Sequence, residues 1–206
     1  MNTDRVSFDD GPPARFLVGS SESWTAIDAR ARAEMASEAR GFIQAQKRLL
    51  QEVEDQGGLR EHFPTPAIVL GALAAEIALK ALIARDNEIT QQAELRKFCR
   101  GPRSGPDRSH DLEYLYSSTS PKTRATVRHE CLVELNCCDF AYYLTRGEFL
   151  NSSEFKTMSF EFLLKDHSKS FVEWRYVYEP GTLQAAPAFL ASLANAAIYA
   201  LNEPAP

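Results

Sequence analysis

The chain lacks the alternation of apolar and polar residues that is typical of β-strands, over any stretch of real length. It also lacks a phosphate-binding glycine loop, a metal-binding triad and the turn that presents a nucleophilic serine. These absences argue against NTPases, zinc hydrolases and serine hydrolases. They leave an all-α helical bundle as the expected fold class.

An excess of positive charge is also missing. The 206 residues include 23 Lys and Arg against 28 Asp and Glu, a net charge of −5. Bulk charge therefore argues against non-specific nucleic-acid binding, and any such site has to be a local basic patch. No shift in composition divides the chain, so we expect an irregular arm over residues 1–22 and a single helical domain over residues 23–206.

Signals for secretion, membrane insertion and metal binding are absent too. The first residues lack the basic start and apolar stretch of a signal peptide, so a cytoplasmic location is the default expectation. The longest apolar run, residues 67–83, is interrupted by Glu76 and Lys80, and we expect it to be too short and too polar for a membrane span. Four cysteines, none at a zinc-ligand spacing, are expected to be free thiols: Cys99, Cys131, Cys137 and Cys138.

The most distinctive stretch that is present covers residues 64–85, PTPAIVLGALAAEIALKALIAR. Its composition predicts a helix that is apolar on almost all sides, which belongs in the middle of a bundle. Glu76 and Lys80 stand four residues apart, acid first, and so share one face of this helix. They form either a structural ion pair that tolerates burial or part of a reactive site.

Apolar residues recur at helical spacing in several other stretches. Ser23 is the expected N-cap of a long amphipathic helix that starts at Trp24, and Ser120 with Pro121 should open another helix. The expected helices total about five to six. They cover residues 24–54, 64–85 with a continuation through 91–98, 110–116, 122–145, 159–176 and 184–202.

A loop over residues 99–110 contains glycines and prolines that cannot continue a helix. Together with the residues just before it, this loop is the most basic part of the chain, with a single acid, Asp107, against five cations: Arg96, Lys97, Arg100, Arg103 and Arg108. It is either a solvated loop whose charges serve solubility or a loop that contacts phosphates.

The order of these segments resembles a known superfamily. A helix containing EIALKALIA is followed by a variable loop, HDLEYLY, a further helix and FVEWRYVYE. This order resembles the HEPN superfamily, helical-bundle domains found with minimal nucleotidyltransferases, in toxin–antitoxin pairs and in anti-phage and CRISPR effectors. The matching residues are 76–82, 110–112 with Leu115, and 175–176. The resemblance implies a cofactor-free homodimer that acts on RNA or pairs with an antitoxin or defence partner, away from membranes.

Active HEPN ribonucleases are metal-independent, and the resemblance implies an Arg and a His four to six residues apart, paired across the dimer. A histidine can move the proton of a ribose 2′-hydroxyl while an arginine stabilises charge on the phosphate, which would leave a cyclic phosphate. No histidine follows Arg175 in this window. Arg175 and Tyr176 instead resemble the Arg-Tyr of nucleotidyltransferase-associated HEPN domains, with Glu179 as a candidate base.

Two other pairs fit the spacing, although arginine is common enough here for such pairs to arise by chance. Arg124 with His129 lies early in a predicted helix and is either a catalytic pair or a pair on a solvated face. Arg103 with His110 starts in the basic loop. His110 is alternatively a structural residue that caps the short helix or bonds to Glu76 or Lys80.

The remaining candidates are RNA contacts. Arg103, Arg108 and His110 could bind phosphates, and Tyr176 could stack on a base. Arg175 either faces a phosphate or belongs to a packed aromatic and ion-pair network. His167 is expected to be a partly buried core residue. The chain is thus expected to be a HEPN-like endoribonuclease or RNA-binding protein, or alternatively a non-catalytic dimeric module that binds a nucleotide or a partner protein.

Overall fold

A computed structural model describes residues 26–55, 65–102, 104–137, 143–145, 148–150, 157–170 and 184–203. Within these ranges the chain forms seven helices, and the predicted all-α bundle is confirmed. The helices are α1 (Ala29–Asp55), α2 (Thr65–Asp86), α3 (Gln92–Arg100), α4 (Leu112–Ser117), α5 (Pro121–Cys137), α6 (Phe160–Asp166) and α7 (Pro187–Asn202).

Helix α2 is the central element of the bundle. It packs extensively against α1 and α7, and α7 in turn packs against α5. Most of the α2 residues are buried, and many of them are alanines, whose small side chains let the neighbouring helices approach closely. By length and composition α2 does qualify as a membrane span, contrary to the expectation from sequence, but 72% of its most apolar window is buried inside the protein.

A small antiparallel sheet, not predicted from the sequence, lies beside the helices. Its strands are β1 (Tyr143–Thr145), β2 (Glu148–Leu150) and β3 (Gln184–Ala185), in the order β2-β1-β3. The helix predicted over residues 122–145 was therefore too long, because α5 ends at Cys137 and β1 follows. The last helix begins at Pro187 instead of residue 184, because β3 pairs with β1.

The first helix begins at Ala29, so the predicted start at Trp24 with Ser23 as its cap was wrong. Ala26 forms an antiparallel bridge with Gln91, and the backbone N–H of Ile27 donates to the carbonyl of Thr90. These bonds hold the chain extended immediately before the helix. The cap is Asp28, whose Oδ1 accepts a hydrogen bond from the N–H of Ala31 at 2.8 Å.

The start of α5 follows the prediction. Ser120 Oγ accepts a hydrogen bond from the N–H of Thr123 at 3.1 Å, and Pro121 is the first helical residue. The short helix before it begins at Leu112, with Asp111 rather than His110 as its cap.

Helix α6 ends at Asp166, so the predicted unbroken helix over residues 159–176 was wrong at that point, and its last part, residues 171–176, lies outside the described residues. The chain turns at residues 167–169, where the carbonyl of Ser168 accepts a hydrogen bond from the N–H of Leu112 at 2.7 Å. His167 is fully buried rather than partly buried. Its Nδ1 lies 2.8 Å from the carbonyl of Leu163, and its Nε2 accepts the N–H of Ala186 at 2.7 Å. The imidazole thereby ties the end of α6 to the start of α7.

Candidate functional site

Three side chains form an ion network that runs from the centre of α2 to the surface. Lys80 Nζ donates to Glu76 Oε1 at 2.6 Å, and His110 Nδ1 lies 2.8 Å from Glu76 Oε2. The side chain of Glu76 is only 5% exposed, that of Lys80 is 20% exposed and that of His110 is 43% exposed. The carboxylate is therefore inside the protein, and both of its partners reach toward solvent.

Two features of the local fold bring these residues together. Glu76 and Lys80 share a face of α2 because they are four positions apart. His110 is delivered by the turn at residues 109–110, directly before α4. Helix α4 is fixed against α2 by Leu112 and Leu115, which are both fully buried. The contact from His110 to Glu76 is one of the alternatives that the sequence left open.

The hydrogen bond to Glu76 sets the orientation of the His110 ring. A carboxylate only accepts hydrogen bonds, so Nδ1 of the imidazole carries the proton that it shares with Glu76. In the neutral ring the lone pair then lies on Nε2, which is the atom that can take up a proton. This arrangement is suited to a general base.

A basic cavity of about 300 Å³ lies next to this network. Arg96 and Arg100, four apart on α3, line it together with Lys80 and Ser109. From sequence, Arg96 and Arg100 were predicted only as charges of the basic region. Their spacing of four residues is the signal that could have placed both on one face of a helix.

The other groups around this cavity modify its charge. Arg100 Nε lies 3.2 Å from Asp107 Oδ2, and hydrogen bonds from Ser109 lower the pKa of the Asp107 carboxyl. Cys99 also lines the cavity, and burial raises its pKa to about 11, so that it remains a neutral thiol near neutral pH. The cavity is therefore lined by three cations, of which Lys80 and Arg100 are paired with carboxylates, and by the uncharged thiol of Cys99.

Arg108, an RNA-binding candidate, contacts an aromatic ring. Its guanidinium carbon lies 5.3 Å from the centre of the Tyr114 ring, within range of a cation–π interaction. The Tyr114 hydroxyl donates to the carbonyl of Phe98 at 3.2 Å. Gly101 has a φ of 80°, and a Cβ there would lie 3.5 Å from that hydroxyl. The basic loop therefore lies close to Tyr114 at both ends of the loop, near Gly101 and at Arg108.

Arg124 and His129 both lie on α5 but do not share a face. Five positions on an α-helix correspond to a rotation of about 140°. Arg124 Nη1 donates to the carbonyl of Ser117 at 2.8 Å and to that of Thr119 at 2.6 Å, while His129 is exposed. The arginine therefore caps the C-terminal end of α4. A catalytic role for the pair remains a prediction.

Four candidates lie outside the described residues: Arg103, Arg175, Tyr176 and Glu179. The pair of Arg103 with His110 and the cluster around Arg175 therefore stay predictions from sequence.

Within the ranges that the structure describes, no group of three His, Cys, Asp or Glu side chains is placed to hold a metal ion. In comparisons with known proteins, the chain matches no family model, no curated protein and no solved structure. The function has to be inferred from the chain's own residues.

Proposed function

We propose that this chain is a HEPN-like, RNA-binding protein with metal-independent endoribonuclease activity, acting as a homodimer in a defence or toxin–antitoxin role. The observation that supports it most is the 2.8 Å contact between His110 Nδ1 and the buried carboxylate of Glu76. It gives a partly exposed histidine a fixed orientation beside a basic cavity. His110 is therefore the proposed catalytic base.

In the proposed reaction, Nε2 of His110 takes the proton of a ribose 2′-hydroxyl, and the 2′-oxygen attacks the adjacent phosphorus. The bond from phosphorus to the 5′-oxygen breaks, a water molecule protonates that oxygen as it leaves, and a 2′,3′-cyclic phosphate remains on the fragment that carried the 2′-hydroxyl. Glu76 stabilises the imidazolium that forms. Lys80 and Arg100 stabilise the negative charge that collects on the phosphate oxygens, which replaces the role of a metal ion.

The distribution of positive charge supports RNA as the substrate. Although the chain is acidic overall, Arg96 and Arg100 of α3 line the same cavity as Lys80, and Arg108 precedes His110 by two residues on the loop before α4. A local basic patch is what an acidic protein needs to hold a phosphate backbone. Arg103 and Tyr176 are proposed from sequence as further RNA contacts, and Arg175 with Glu179 as a second catalytic candidate.

The test is incubation of the purified protein with structured and single-stranded RNA in EDTA. We expect cleavage with cyclic-phosphate ends, reduced about 10²- to 10⁴-fold by His110→Ala, the typical contribution of a general base. Glu76→Gln should reduce the rate and change its pH profile. His129→Ala is the comparison variant, because the loss of this exposed histidine on α5 should leave cleavage unchanged if His110 is the base and should remove it if the α5 pair is catalytic.

Two results would redirect the assignment. Full activity in His110→Ala with none in His129→Ala would move catalysis to α5, and loss only in Arg175→Ala would move it to the Arg-Tyr motif. Sedimentation of the same samples tests the homodimer.

A second candidate function is a non-catalytic module that binds a nucleotide or a partner protein. It is favoured by the burial of Glu76, because both of its oxygens are bonded, which is what a purely structural ion network requires. RNA that is bound but never cut would favour this module. A folded dimer with no affinity for RNA would leave only the partner-binding role.

A further inference from the structure

Two neighbouring cavities lie between α1 and α3. The larger cavity, of about 730 Å³, is lined by residues of both helices, and the smaller is the basic cavity of about 300 Å³ described above. Met35, Gln92 and Leu95 line both cavities, so the two lie side by side at these residues. We call the whole space the α1–α3 groove. Each volume falls in the range of small-molecule sites, about 300–1,000 Å³.

The larger part of the groove has an apolar floor. Ile27, Ala31 and Leu95 line it and are themselves at most 6% exposed, and Met35 is partly buried beside them. An apolar body lying on this floor would be removed from water, with a gain of about 25 cal/mol for each Å² buried. The floor therefore favours an occupant with a substantial apolar portion.

Cations and carboxylates line different parts of the groove. Lys80, Arg96 and Arg100 line only the smaller cavity, whereas Glu34 and Glu38 line only the larger one. An ammonium group has three N–H donors and a guanidinium has five, so the ion pairs of Lys80 with Glu76 and of Arg100 with Asp107 leave donors for a ligand. One end of the groove can therefore receive an anionic head.

The thiol that lines the smaller cavity is uncharged. Cys99 is 1% exposed, and its raised pKa keeps it in the thiol form, which adds no negative charge beside the three cations. A head group at Lys80 would therefore meet cations on α2 and α3 and a neutral, weakly polar wall behind them.

We propose that the α1–α3 groove binds a small organic anion with an apolar body. Its carboxylate or phosphate head lies at Lys80, Arg96 and Arg100, and its body lies along Met35 and Leu95 toward Ile27. This ligand is a different molecule from RNA, but its head would occupy Lys80 and Arg100, the cations proposed above to hold the RNA phosphate, and the two would compete. The groove is present whether or not His110 is catalytic. A phosphate or carboxylate can pair with an arginine fork through two parallel hydrogen bonds, which gives the head end its preference for anions.

The test uses the fluorescent sulfonate anilinonaphthalene sulfonate as the probe, with the full chain at neutral pH. We expect saturable binding to one site, displaced by decanoate and by decyl phosphate but not by decyltrimethylammonium, which has the same body and the opposite charge. The relative strength of decanoate and decyl phosphate tells which head the site prefers.

The variants locate the site. Arg96→Gln with Arg100→Gln should weaken probe binding at least about tenfold, because two charge-assisted contacts are removed. Met35→Glu should also abolish binding by placing a charge in the apolar wall. Lys97→Gln is the matched control, since Lys97 is an exposed cation of the same helix that does not line the groove.

Three results would overturn the proposal: equal displacement by the cationic amphiphile, unchanged binding in the double arginine variant, or equal weakening in Lys97→Gln. Thermal unfolding of each variant shows whether it is folded. Because Arg96 and Arg100 are both exposed, the double variant should fold like the wild type. Probe fluorescence that never saturates would indicate non-specific apolar surface and would likewise exclude the site.

Discussion

A Cβ atom placed on Gly71 of α2 would lie 2.5 Å from Nε2 of Gln46 on α1. Gln46 is fully buried, and the same Nε2 donates to the carbonyl of Pro187 at the start of α7 at 3.0 Å. Its Oε1 is buried with no hydrogen-bond partner among the described residues. The side chain amide thus occupies the point where α1, α2 and α7 meet, and it fits there only because residue 71 has no side chain.

Gly71→Ala is therefore expected to destabilise the protein. Alanine raises helix propensity by about 1 kcal/mol, but overpacking against an amide held by Pro187 costs about 1–3 kcal/mol, so we expect a net loss. Gly41→Ala is the control, because a Cβ there meets nothing within 4 Å and should stabilise α1. Urea unfolding measures both. Adding Gln46→Ala to Gly71→Ala should recover part of the loss, and a strictly additive double variant would contradict the contact.

The stability of the protein should fall in mild acid because of His167. Burial lowers the pKa of this histidine, against the opposing effects of the Leu163 carbonyl and of Asp166, whose Oδ2 lies 3.7 Å from Nδ1. Protonated Nε2 could no longer accept the N–H of Ala186. The stabilisation is complete above the unfolded pKa of about 6.5 and is lost as the pH falls through the lower folded pKa, by up to about 1.4 kcal/mol per pH unit.

Urea unfolding between pH 8 and pH 5 measures this effect. In His167→Gln the dependence on pH should be weaker, although the variant will be less stable throughout. An unchanged slope in that variant would assign the acid sensitivity to other groups.

Replacing Arg85 should lower the free energy of unfolding more than replacing an exposed charged residue. Its guanidinium bonds to Asp86 Oδ1, Thr123 Oγ1 and the carbonyls of Ala200 and Glu203. The Asp86 side chain is only 1% exposed. Arg85→Met would leave that carboxylate without its cation, at a cost of about 3–5 kcal/mol in the free energy of unfolding.

The control for Arg85 is Arg30→Met, which breaks a pair with Glu34 in which the arginine side chain is 86% exposed. An exposed pair of this kind contributes at most about 1 kcal/mol. Equal losses from the two variants would show that Asp86 finds another partner.

Arg124→Ala should lower stability without removing RNA cleavage. It deletes two hydrogen bonds to the end of α4, to Ser117 and Thr119, at a cost of about 1–3 kcal/mol. Arg128→Ala, which breaks only an exposed pair with Glu161, is the control. Cleavage measured well below the melting temperature separates the two effects. A stable but inactive Arg124→Ala would restore the α5 pair as the catalytic one.

The cysteines should differ in reactivity. Burial raises the pKa of Cys99 to about 11 and raises that of Cys131 as well, whereas Cys137 is exposed. Because the thiolate is the reactive form, a maleimide should label Cys137 in the folded protein and reach Cys99 and Cys131 only on unfolding. Peptide mapping by mass spectrometry measures this order. Early labelling of Cys99 would mean that the wall of the α1–α3 groove opens in solution.

The parts of the fold that sequence predicted are those with local causes. The apolar composition of α2 and the Ser120–Pro121 start of α5 depend on neighbouring residues, so their patterns are visible in the chain. The Glu76–Lys80 contact follows from helical spacing in the same way, and His110 could be offered as a partner because it is a polar residue beside a predicted helix.

The parts that sequence missed depend on distant partners. Strands of two or three residues are too short to show alternation, and β3 exists only because it pairs with β1. His167 ends up fully buried because Ala186 supplies a backbone donor to it. Gln46 lies within an otherwise ordinary amphipathic helix, and no residue near it in sequence predicts its hydrogen bond to the carbonyl of Pro187. In the sequence, Arg85 and Asp86 look like ordinary charges at the end of a helix. The bonds of Arg85 to Thr123 on α5 and Ala200 on α7 are not predictable from it.

The position of α2 between α1 and α7 also has a consequence for the order of folding. α1 and α2 are consecutive in the sequence, whereas the bond from Gln46 to Pro187 spans 141 residues. Contacts of such long range form late, since the entropy of closing the intervening loop opposes them. A folding intermediate would then contain the packed α1–α2 pair. The apolar, alanine-rich face of α2 that α7 later covers would still be exposed to water. Such a species would be prone to self-association until α7 arrives.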